Sequence, residues 1–164
     1  MKFGFDIHGV IDVKPDRFKR LTNKLKEDGH TIYIITGPKI DKPYRTRRGG
    51  NFDNVRQELK QHGVYYDELI SILDYNQDKG TDMWKNRGNW YMNEDVWNKS
   101  KGLICDELEI DFHIDDTLIY RDSFKTPFAF INNETDTMEI FDDINKEVLN
   151  LYKDELGYKI KKKN

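Results

Sequence analysis

The chain has 164 residues, of which 37% are hydrophobic and 35% charged, with a formal net charge of −3. This composition predicts one domain with a single core and argues against a general attraction to nucleic acid or membranes, so local charge must hold any ligand. The single cysteine, Cys105, excludes an internal disulfide and a cysteine-pair zinc site, and no apolar run approaches the ~20 residues of a membrane span. Because the first residues also lack the pattern of a signal peptide, we expect a cytoplasmic protein.

The first half of the chain alternates strands with helices. The predicted elements are a strand at 2–6, a helix at 15–28, a strand at 31–36, a basic loop at 39–51 and a helix at 53–62. The segment 31–36 is a continuous apolar run, typical of a strand covered on both faces, and Gly37-Pro38 cannot continue it.

The second half continues the alternation around one polar segment. The predicted elements are a strand at 69–73, a polar irregular segment at 74–98, a helix at 100–108, strands at 110–114, 127–131 and 138–141, an amphipathic helix at 142–155 and a loose basic tail at 159–164. The last helix rests on four apolar positions at helical spacing, Ile144, Val148, Leu149 and Tyr152. Residues 1–158 are therefore expected to form one domain.

This order predicts a three-layer α/β fold, Rossmann-like, with a mostly parallel sheet between helices. In such a sheet the carboxyl ends of the strands meet at one crevice, where ligands bind. Asp6, Thr36 and Asp115 all stand at predicted strand ends. We therefore expect the three side chains to converge.

Four short segments, taken in their order, resemble the haloacid dehalogenase (HAD) superfamily of phosphohydrolases. They are Asp6-Ile-His-Gly9, Thr36-Gly37, Lys101 and Asp115-Asp116. The resemblance covers roughly residues 3–131 and is closest to small nucleotidase-like members, in which a Lys-xxx-Cys helix leads into Ile-Asp-Asp. It implies a HAD-like fold with a minimal cap or none, and a Mg²⁺-dependent phosphatase.

The acidic residues fit this chemistry. A nucleophilic carboxylate splits phosphoester cleavage into formation and hydrolysis of an aspartyl phosphate, and Asp6 is placed for that role. Carboxylates at neighbouring strand ends repel each other unless a cation lies between them, and an all-oxygen site suits Mg²⁺. Asp6 and Asp115 would each supply one oxygen, and the resemblance implies the His8 carbonyl as a third ligand. Asp116 is expected in the same metal site, orienting Lys101 or a metal-bound water.

The phosphoryl group would be held by uncharged donors and one cation. The Thr36 hydroxyl and the Gly37 amide would bind phosphoryl oxygens, with Gly9 in the turn after the nucleophile. Lys101 would supply a positive charge during transfer. Two other lysines compete for this role, Lys99 and Lys79.

His8 occupies the position where phosphatases of this superfamily use a second aspartate. Histidine can protonate a leaving oxygen and later activate water, because its ordinary pKa lies near neutrality. Three alternatives stay open: His8 is the acid and base, it only shapes the pocket of a slower phosphatase, or turnover is lost and the protein sequesters a nucleotide-like ligand. A structural protein with a relic site is a further alternative.

Substrate selection is expected from two other segments. Residues 74–98 lie at the second cap position of the superfamily and would form a small lid, in which Trp84 and Trp90 either stack on a nucleobase or anchor the segment to the core. The basic loop would hold a second phosphate or remain solvated, through three arginines: Arg45, Arg47 and Arg48.

We expect a small phosphorylated substrate, with a nucleotide favoured. An open site also admits a phosphorylated nucleic-acid end, which is not favoured. The sequence leaves the oligomeric state open. The remaining histidines and the cysteine are expected to be structural: His30, His62, His113 and Cys105.

Overall fold

The computed structural model describes residues 1–141 and 146–162. The strands are β1 (Lys2–Phe5), β2 (Thr31–Thr36), β3 (Tyr44–Arg45), β4 (Asn51–Phe52), β5 (Glu68–Ser71), β6 (Met83–Asn86), β7 (Asn89–Met92), β8 (Phe112–Asp115), β9 (Phe128–Asn132), β10 (Thr137–Ile140) and β11 (Lys159–Lys162). The helices are α1 (Pro15–Glu27), α2 (Val55–His62), α3 (Ile72–Asp78), α4 (Glu94–Glu107), α5 (Lys146–Leu151) and α6 (Lys153–Leu156). A π-helical turn spans Ile7–Ile11 and a 3₁₀ helix spans Leu118–Ser123.

Seven strands form the central sheet in the order β11-β10-β9-β8-β1-β2-β5. The five strands from β9 to β5 run parallel to one another, whereas β10 is antiparallel to β9 and parallel to β11. The structure is thus an α/β fold with a mostly parallel sheet, compatible with the predicted Rossmann-like class. The carboxyl ends of β1, β2, β5 and β8 consequently meet at one edge.

Alternating side chains of β2 divide the core into two layers. Ile32 and Ile34 belong to one buried cluster, which includes apolar residues of α1, α2, α5 and α6. Ile35 belongs to the other cluster, which includes apolar residues of α3 and α4. Helices therefore cover both faces of the sheet, as the continuous apolar run of this strand predicts.

The segment at 74–98 is largely regular, so the prediction of an irregular insertion is wrong. Ser71 caps α3, because its Oγ accepts a hydrogen bond from Asp74 N. The Asn93 side chain caps α4, which starts at Glu94 rather than at residue 100. Between the helices lies the β6–β7 hairpin, whose two turn residues, Arg87 and Gly88, both have positive φ, as in type I′ turns.

The prediction of a loose tail is wrong for residues 159–162, which form β11 beside β10. Gly157 ends α6 in a left-handed conformation, and the chain then returns to the sheet. Ile160 packs against the core while Lys159 and Lys161 are exposed. This alternation is typical of an edge strand, and the lysines discourage pairing with another chain.

The predicted helix at 142–155 is only partly observed. Residues 142–145, which include the predicted core position Ile144, lie outside the described residues. From residue 146 onward the helical segment is divided into α5 and α6. No helix in the described part of the chain is long and apolar enough to cross a membrane.

Candidate active site

The carboxylates of Asp6 and Asp115 end neighbouring parallel strands. The backbone N–H of Asp6 donates to Ile114 O, and its own Oδ1 accepts from Ile7 N at 2.8 Å. Asp6 therefore caps the π-helical turn, which fixes the carboxylate at the edge of the sheet. Asp6 is 7% exposed and Asp115 is fully buried.

Lys101 links these two carboxylates. Its Nζ lies 2.7 Å from Asp115 Oδ2 and 3.0 Å from Asp6 Oδ2, and the residue is 3% exposed. Burial alone would lower the pKa of Lys101, but the two carboxylates raise it above its ordinary value, so the ammonium stays charged. The other candidate lysines are elsewhere, since Lys79 pairs with Glu107 and Lys99 is exposed.

Negative charge is in excess around this ammonium. One carboxylate oxygen each from Asp6, Asp115 and Asp116 can lie within 4.8 Å of the others. Burial and the charge of Asp115, opposed by Lys101, raise the pKa of Asp6 to about 7. Burial and Asp115 likewise raise the pKa of Asp116. Three acidic oxygens at this spacing are a donor set that fits Mg²⁺.

Close packing brings Asp116 into the cluster. Gly9 has a φ of 86°, and a Cβ at this position would overlap the Asp116 carboxylate. Glycine is therefore required here for two reasons, the left-handed backbone and the space that Asp116 fills. Gly9, predicted to bind phosphate, lies against the Asp116 carboxylate and on the wall of the cleft.

His113 forms a buried hydrogen bond with Asp115. It is fully buried, and its Nε2 lies 2.9 Å from Asp115 Oδ2, to which it donates. Burial lowers the pKa of His113 despite this neighbour, so the ring is neutral. A Cβ at Gly4 would lie 2.7 Å from His113 Nδ1, so the strand beside it leaves room for the ring. This histidine therefore positions Asp115, a role beyond simple core packing.

The ring of His8 is bound by a buried carboxylate. His8 Nε2 lies 2.7 Å from Glu58 Oε1, and Glu58 is 1% exposed. The same carboxylate accepts from Tyr44 OH at 2.5 Å and interacts with His62 Nε2 at 3.0 Å. Although burial alone would raise it, these hydrogen bonds lower the pKa of Glu58 to about 2.

Because Glu58 is ionised, His8 must donate from Nε2. The carboxylate also raises the pKa of His8, against the lowering effect of burial. Nδ1 of His8 forms no hydrogen bond with any other residue that the structure describes. Since His8 lines the same cleft as Asp6, the free nitrogen is available for proton transfer.

Thr36 and Gly37 differ in their access to the site. Gly37 lines the cleft and packs against Trp97, whose ring would lie 3.0 Å from an added Cβ. Thr36 is fully buried, and its hydroxyl finds no hydrogen-bond partner within the described residues. The Thr36 hydroxyl, which was predicted to bind a phosphoryl oxygen, therefore does not line the cleft, although the adjacent Gly37 does.

A cleft of about 1230 Å³ opens over these groups. Two short hairpins, β3–β4 and β6–β7, border it. The β3–β4 hairpin contributes Arg45 and, from its loop, Arg47 and Arg48, and the β6–β7 hairpin contributes Trp90. The prediction for Trp84 is wrong, because this side chain is 49% exposed and does not line the cleft. Trp84 pairs with Tyr91, and strand alternation directs both away from Trp90.

Sequence reasoning missed Glu58, Tyr44 and His113 as parts of the site. Glu58 lies 50 residues from His8 and reads as one acidic residue on a surface helix. The signal for His113 was its place two residues before Asp115 on an apolar strand, where a buried polar ring needs a partner. Two aromatic residues complete the cleft wall, with Trp97 Nε1 donating to Tyr120 OH at 2.8 Å.

Comparison of the sequence with models of known protein families and with curated proteins finds no match.

Proposed function

We propose that the protein is a Mg²⁺-dependent phosphomonoesterase of the HAD type, with Asp6 as nucleophile and a small phosphorylated molecule, favourably a nucleotide, as substrate. The supporting observation is the group formed by Asp6, Lys101 and Asp115 at the carboxyl ends of β1 and β8, under an open cleft. The family resemblance and the geometry both point to Asp6, Lys101 and Asp115.

In the first step, an Asp6 carboxylate oxygen attacks phosphorus while the bond to the leaving oxygen breaks. The Gly37 amide and the Lys101 ammonium would stabilise the negative charge on the transferring phosphoryl group. His8, protonated at Nδ1, donates that proton to the leaving oxygen. The product is an alcohol and an aspartyl phosphate.

In the second step, His8 Nδ1 takes a proton from water, whose oxygen attacks phosphorus and displaces Asp6. Phosphate leaves, and the carboxylate is restored. A Mg²⁺ held by Asp6, Asp115 and Asp116 would neutralise the carboxylates and the phosphoryl oxygens. Glu58 accepts from His8 Nε2 in both steps and so leaves Nδ1 to give and then take up the proton, as the carboxylate of a catalytic triad does. This arrangement favours the catalytic alternative over sequestration.

The direct test is phosphate release from p-nitrophenyl phosphate and a nucleotide panel with Mg²⁺. Wild-type protein is expected to turn over, and Asp6→Asn is expected to lose activity because the nucleophile is gone. His8→Asn keeps Asp6 and should release about one equivalent of p-nitrophenolate in a burst, then stall, because this leaving group needs no proton but water activation is lost.

Absence of phosphate release from every substrate would contradict the proposal. So would undiminished turnover by Asp6→Asn. Thermal stabilisation by a nucleotide that is recovered intact after long incubation would instead support sequestration. If His8→Asn lost activity without an initial burst of p-nitrophenolate, the assignment of His8 to the second step would be contradicted.

A further inference from the structure

The cleft continues beyond the two hairpins. A second depression, of about 730 Å³, adjoins it, and both are lined by Pro43, Tyr44, Arg45 and Asn89. Arg87, at the turn of β6–β7, lines only the outer depression. The surface available to a ligand therefore runs from Asp6 past β3 to the tip of β6–β7. Ligand pockets for single small molecules commonly hold about 300–1000 Å³, less than the cleft alone.

Five exposed cations follow this surface. We call them the basic track: Lys42, Arg45, Arg47, Lys85 and Arg87. None forms an ion pair with another residue of the described ranges, 1–141 and 146–162. Three more cations of the wall are already paired: Lys39 with Asp74, Arg48 with Asp12, and Lys101 with Asp6 and Asp115. Asp53 is the carboxylate that lines the outer depression, and five aspartates line the cleft: Asp6, Asp12, Asp41, Asp74 and Asp116.

The two depressions together carry eight Lys and Arg side chains against six Asp carboxylates, a small positive excess in a chain whose net charge is −3. A ligand with one phosphate would contact the cations nearest Asp6 and leave the outer depression unused. A ligand with several phosphates in a row would use both.

An aromatic surface accompanies the cations. Strand alternation in β6–β7 places Lys85 and Trp90 on the same face, and Trp90 lines the cleft. The Lys39 and Lys85 ammonium groups each lie 5.1 Å from the centre of the Trp90 ring. Tyr44 lies at the junction of the two depressions. Aromatic rings beside unpaired cations are the combination that binds the bases and backbone of single-stranded nucleic acid.

We propose that the basic track binds a single strand of nucleic acid, and that the phosphate removed at Asp6 is the terminal phosphate of that strand. This inference rests on the proposed function for the reaction, and on the two hairpins for the strand. It changes the preferred substrate from a mononucleotide to an oligonucleotide end.

The first experiment is a length series. Oligodeoxythymidylates of one to eight nucleotides, in one series with a 5′ phosphate and in another with a 3′ phosphate, are compared by kcat/KM. In at least one series we expect kcat/KM to rise about tenfold or more with length, since each stacked base adds binding energy. Equal kcat/KM at all lengths in both series would overturn the inference and leave the phosphatase proposal intact.

Two variants locate the effect. Arg45→Ala combined with Arg87→Ala is expected to reduce the ratio of octamer to mononucleotide kcat/KM to below about threefold, since both cations are lost. Arg20→Ala, which removes an exposed arginine on α1, is the matched control and should keep the wild-type ratio. An unchanged ratio in the double variant would overturn the assignment to the hairpins.

The second experiment needs no turnover. Binding of a fluorescein-labelled, unphosphorylated thymidine octamer to the wild-type protein is measured by anisotropy at several salt concentrations. The logarithm of the affinity should fall with the logarithm of salt concentration with a slope of about −2 to −3, and the double variant should flatten this slope by about one.

The binding outcomes separate the two proposals. Salt-dependent binding without any phosphatase activity would support the track and contradict the enzyme. Absence of octamer binding would overturn the track. Equal binding of an eight-base-pair duplex would overturn the single-strand assignment, because stacking on Trp90 and Tyr44 requires unpaired bases.

Discussion

At the level of single residues, the site is governed by buried acids and the donors that neutralise them. Asp115 receives hydrogen bonds from Lys101 and His113, which hold its pKa below the ordinary value although burial would raise it. Burial and the charge of Asp115, only partly offset by Lys101, raise the pKa of Asp6. The cluster thus contains one carboxylate with a lowered pKa and one with a raised pKa, a division that suits the proposed metal ligand and the proposed nucleophile.

The proposed Mg²⁺ binding at this cluster has a readout that does not involve activity. At ten times its dissociation constant, Mg²⁺ should stabilise the wild-type protein by about 1.4 kcal/mol in thermal unfolding. Asp116→Asn should lose most of this gain because it removes one of the three oxygens. Without Mg²⁺ the variant should unfold at a higher temperature than the wild type, since like charges no longer repel.

The control is Asp41→Asn, which removes an exposed carboxylate from the cleft wall but not from the cluster. It should keep the full Mg²⁺ effect. A Mg²⁺ effect of equal size in all three proteins would place the ion outside the cluster, and no effect in any of them would contradict the metal site.

In the proposed reaction Glu58 acts through His8, so its substitution should have a chemical signature. Glu58→Gln keeps the shape of the side chain but weakens the hold on His8 Nε2. We expect kcat on an alkyl phosphate, whose leaving group needs a proton, to fall by at least about tenfold. The initial p-nitrophenolate burst should change little. Stopped-flow and steady-state rates on the two substrates measure this difference.

His62→Gln is the matched control, because it removes the other histidine from the same carboxylate and leaves the His8 contact in place. It should preserve the ratio of the two rates. Equal losses on both substrates in Glu58→Gln, with unchanged unfolding free energy, would contradict a positioning role for Glu58.

At the level of elements, α4 is held against the 3₁₀ helix by a glycine. A Cβ at Gly102 would overlap the carbonyl oxygen of Ser123, so the two elements approach each other closely. This contact positions Tyr120, whose ring lies under Lys101 at 5.2 Å and whose hydroxyl accepts from Trp97. The α4 helix therefore carries Lys101 and also places one wall of the cleft.

Gly102→Ala tests this packing through the sign of its effect. In an exposed helix, alanine in place of glycine would stabilise by about 1 kcal/mol. Here the overlap with Ser123 should reverse the sign and destabilise the protein by about 1–3 kcal/mol in urea unfolding. Lys99→Ala, at an exposed position of the same helix, should stay within about 0.5 kcal/mol of the wild type. Stabilisation by Gly102→Ala would contradict the close approach.

At the level of the whole molecule, most strands of the central sheet were predictable because each carries a short apolar segment, of which Thr31–Thr36 is the most continuous. The grouping of Asp6 with Asp115 was also predictable, since parallel strands bring their carboxyl ends together. The contact of Glu58 with His8 was not, because it depends on how α2 packs across the sheet edge. The start of α4 was missed because the Asn93 cap lies within a polar segment, and β11 was missed because its lysines conceal the alternation.

One ion-pair cluster joins distant parts of the chain and gives stability a pH dependence. Asp136, in the β9–β10 turn, binds Lys14 and Arg17, and these two cations also lie over the Tyr158 ring. Hydrogen bonds from Arg17 and Lys14 lower the pKa of Asp136 from 3.8 to about 2. Because the folded pKa is depressed, the stabilisation is present above about pH 4 and is lost as the pH falls towards 2.

Asp136→Asn should therefore reduce the free energy of unfolding by about 0.5–1 kcal/mol at pH 7, a small value because the carboxylate is nearly half exposed. Asparagine suits the position, since the backbone φ is 54° and this residue tolerates left-handed geometry. Urea unfolding between pH 7 and pH 3 should show the two proteins converging as Asp136 protonates. Asp82→Asn, at an exposed carboxylate without an ion pair to any described residue, should show no such convergence. A difference for Asp136→Asn that stays constant with pH would mean that the loss is one of packing and not of charge.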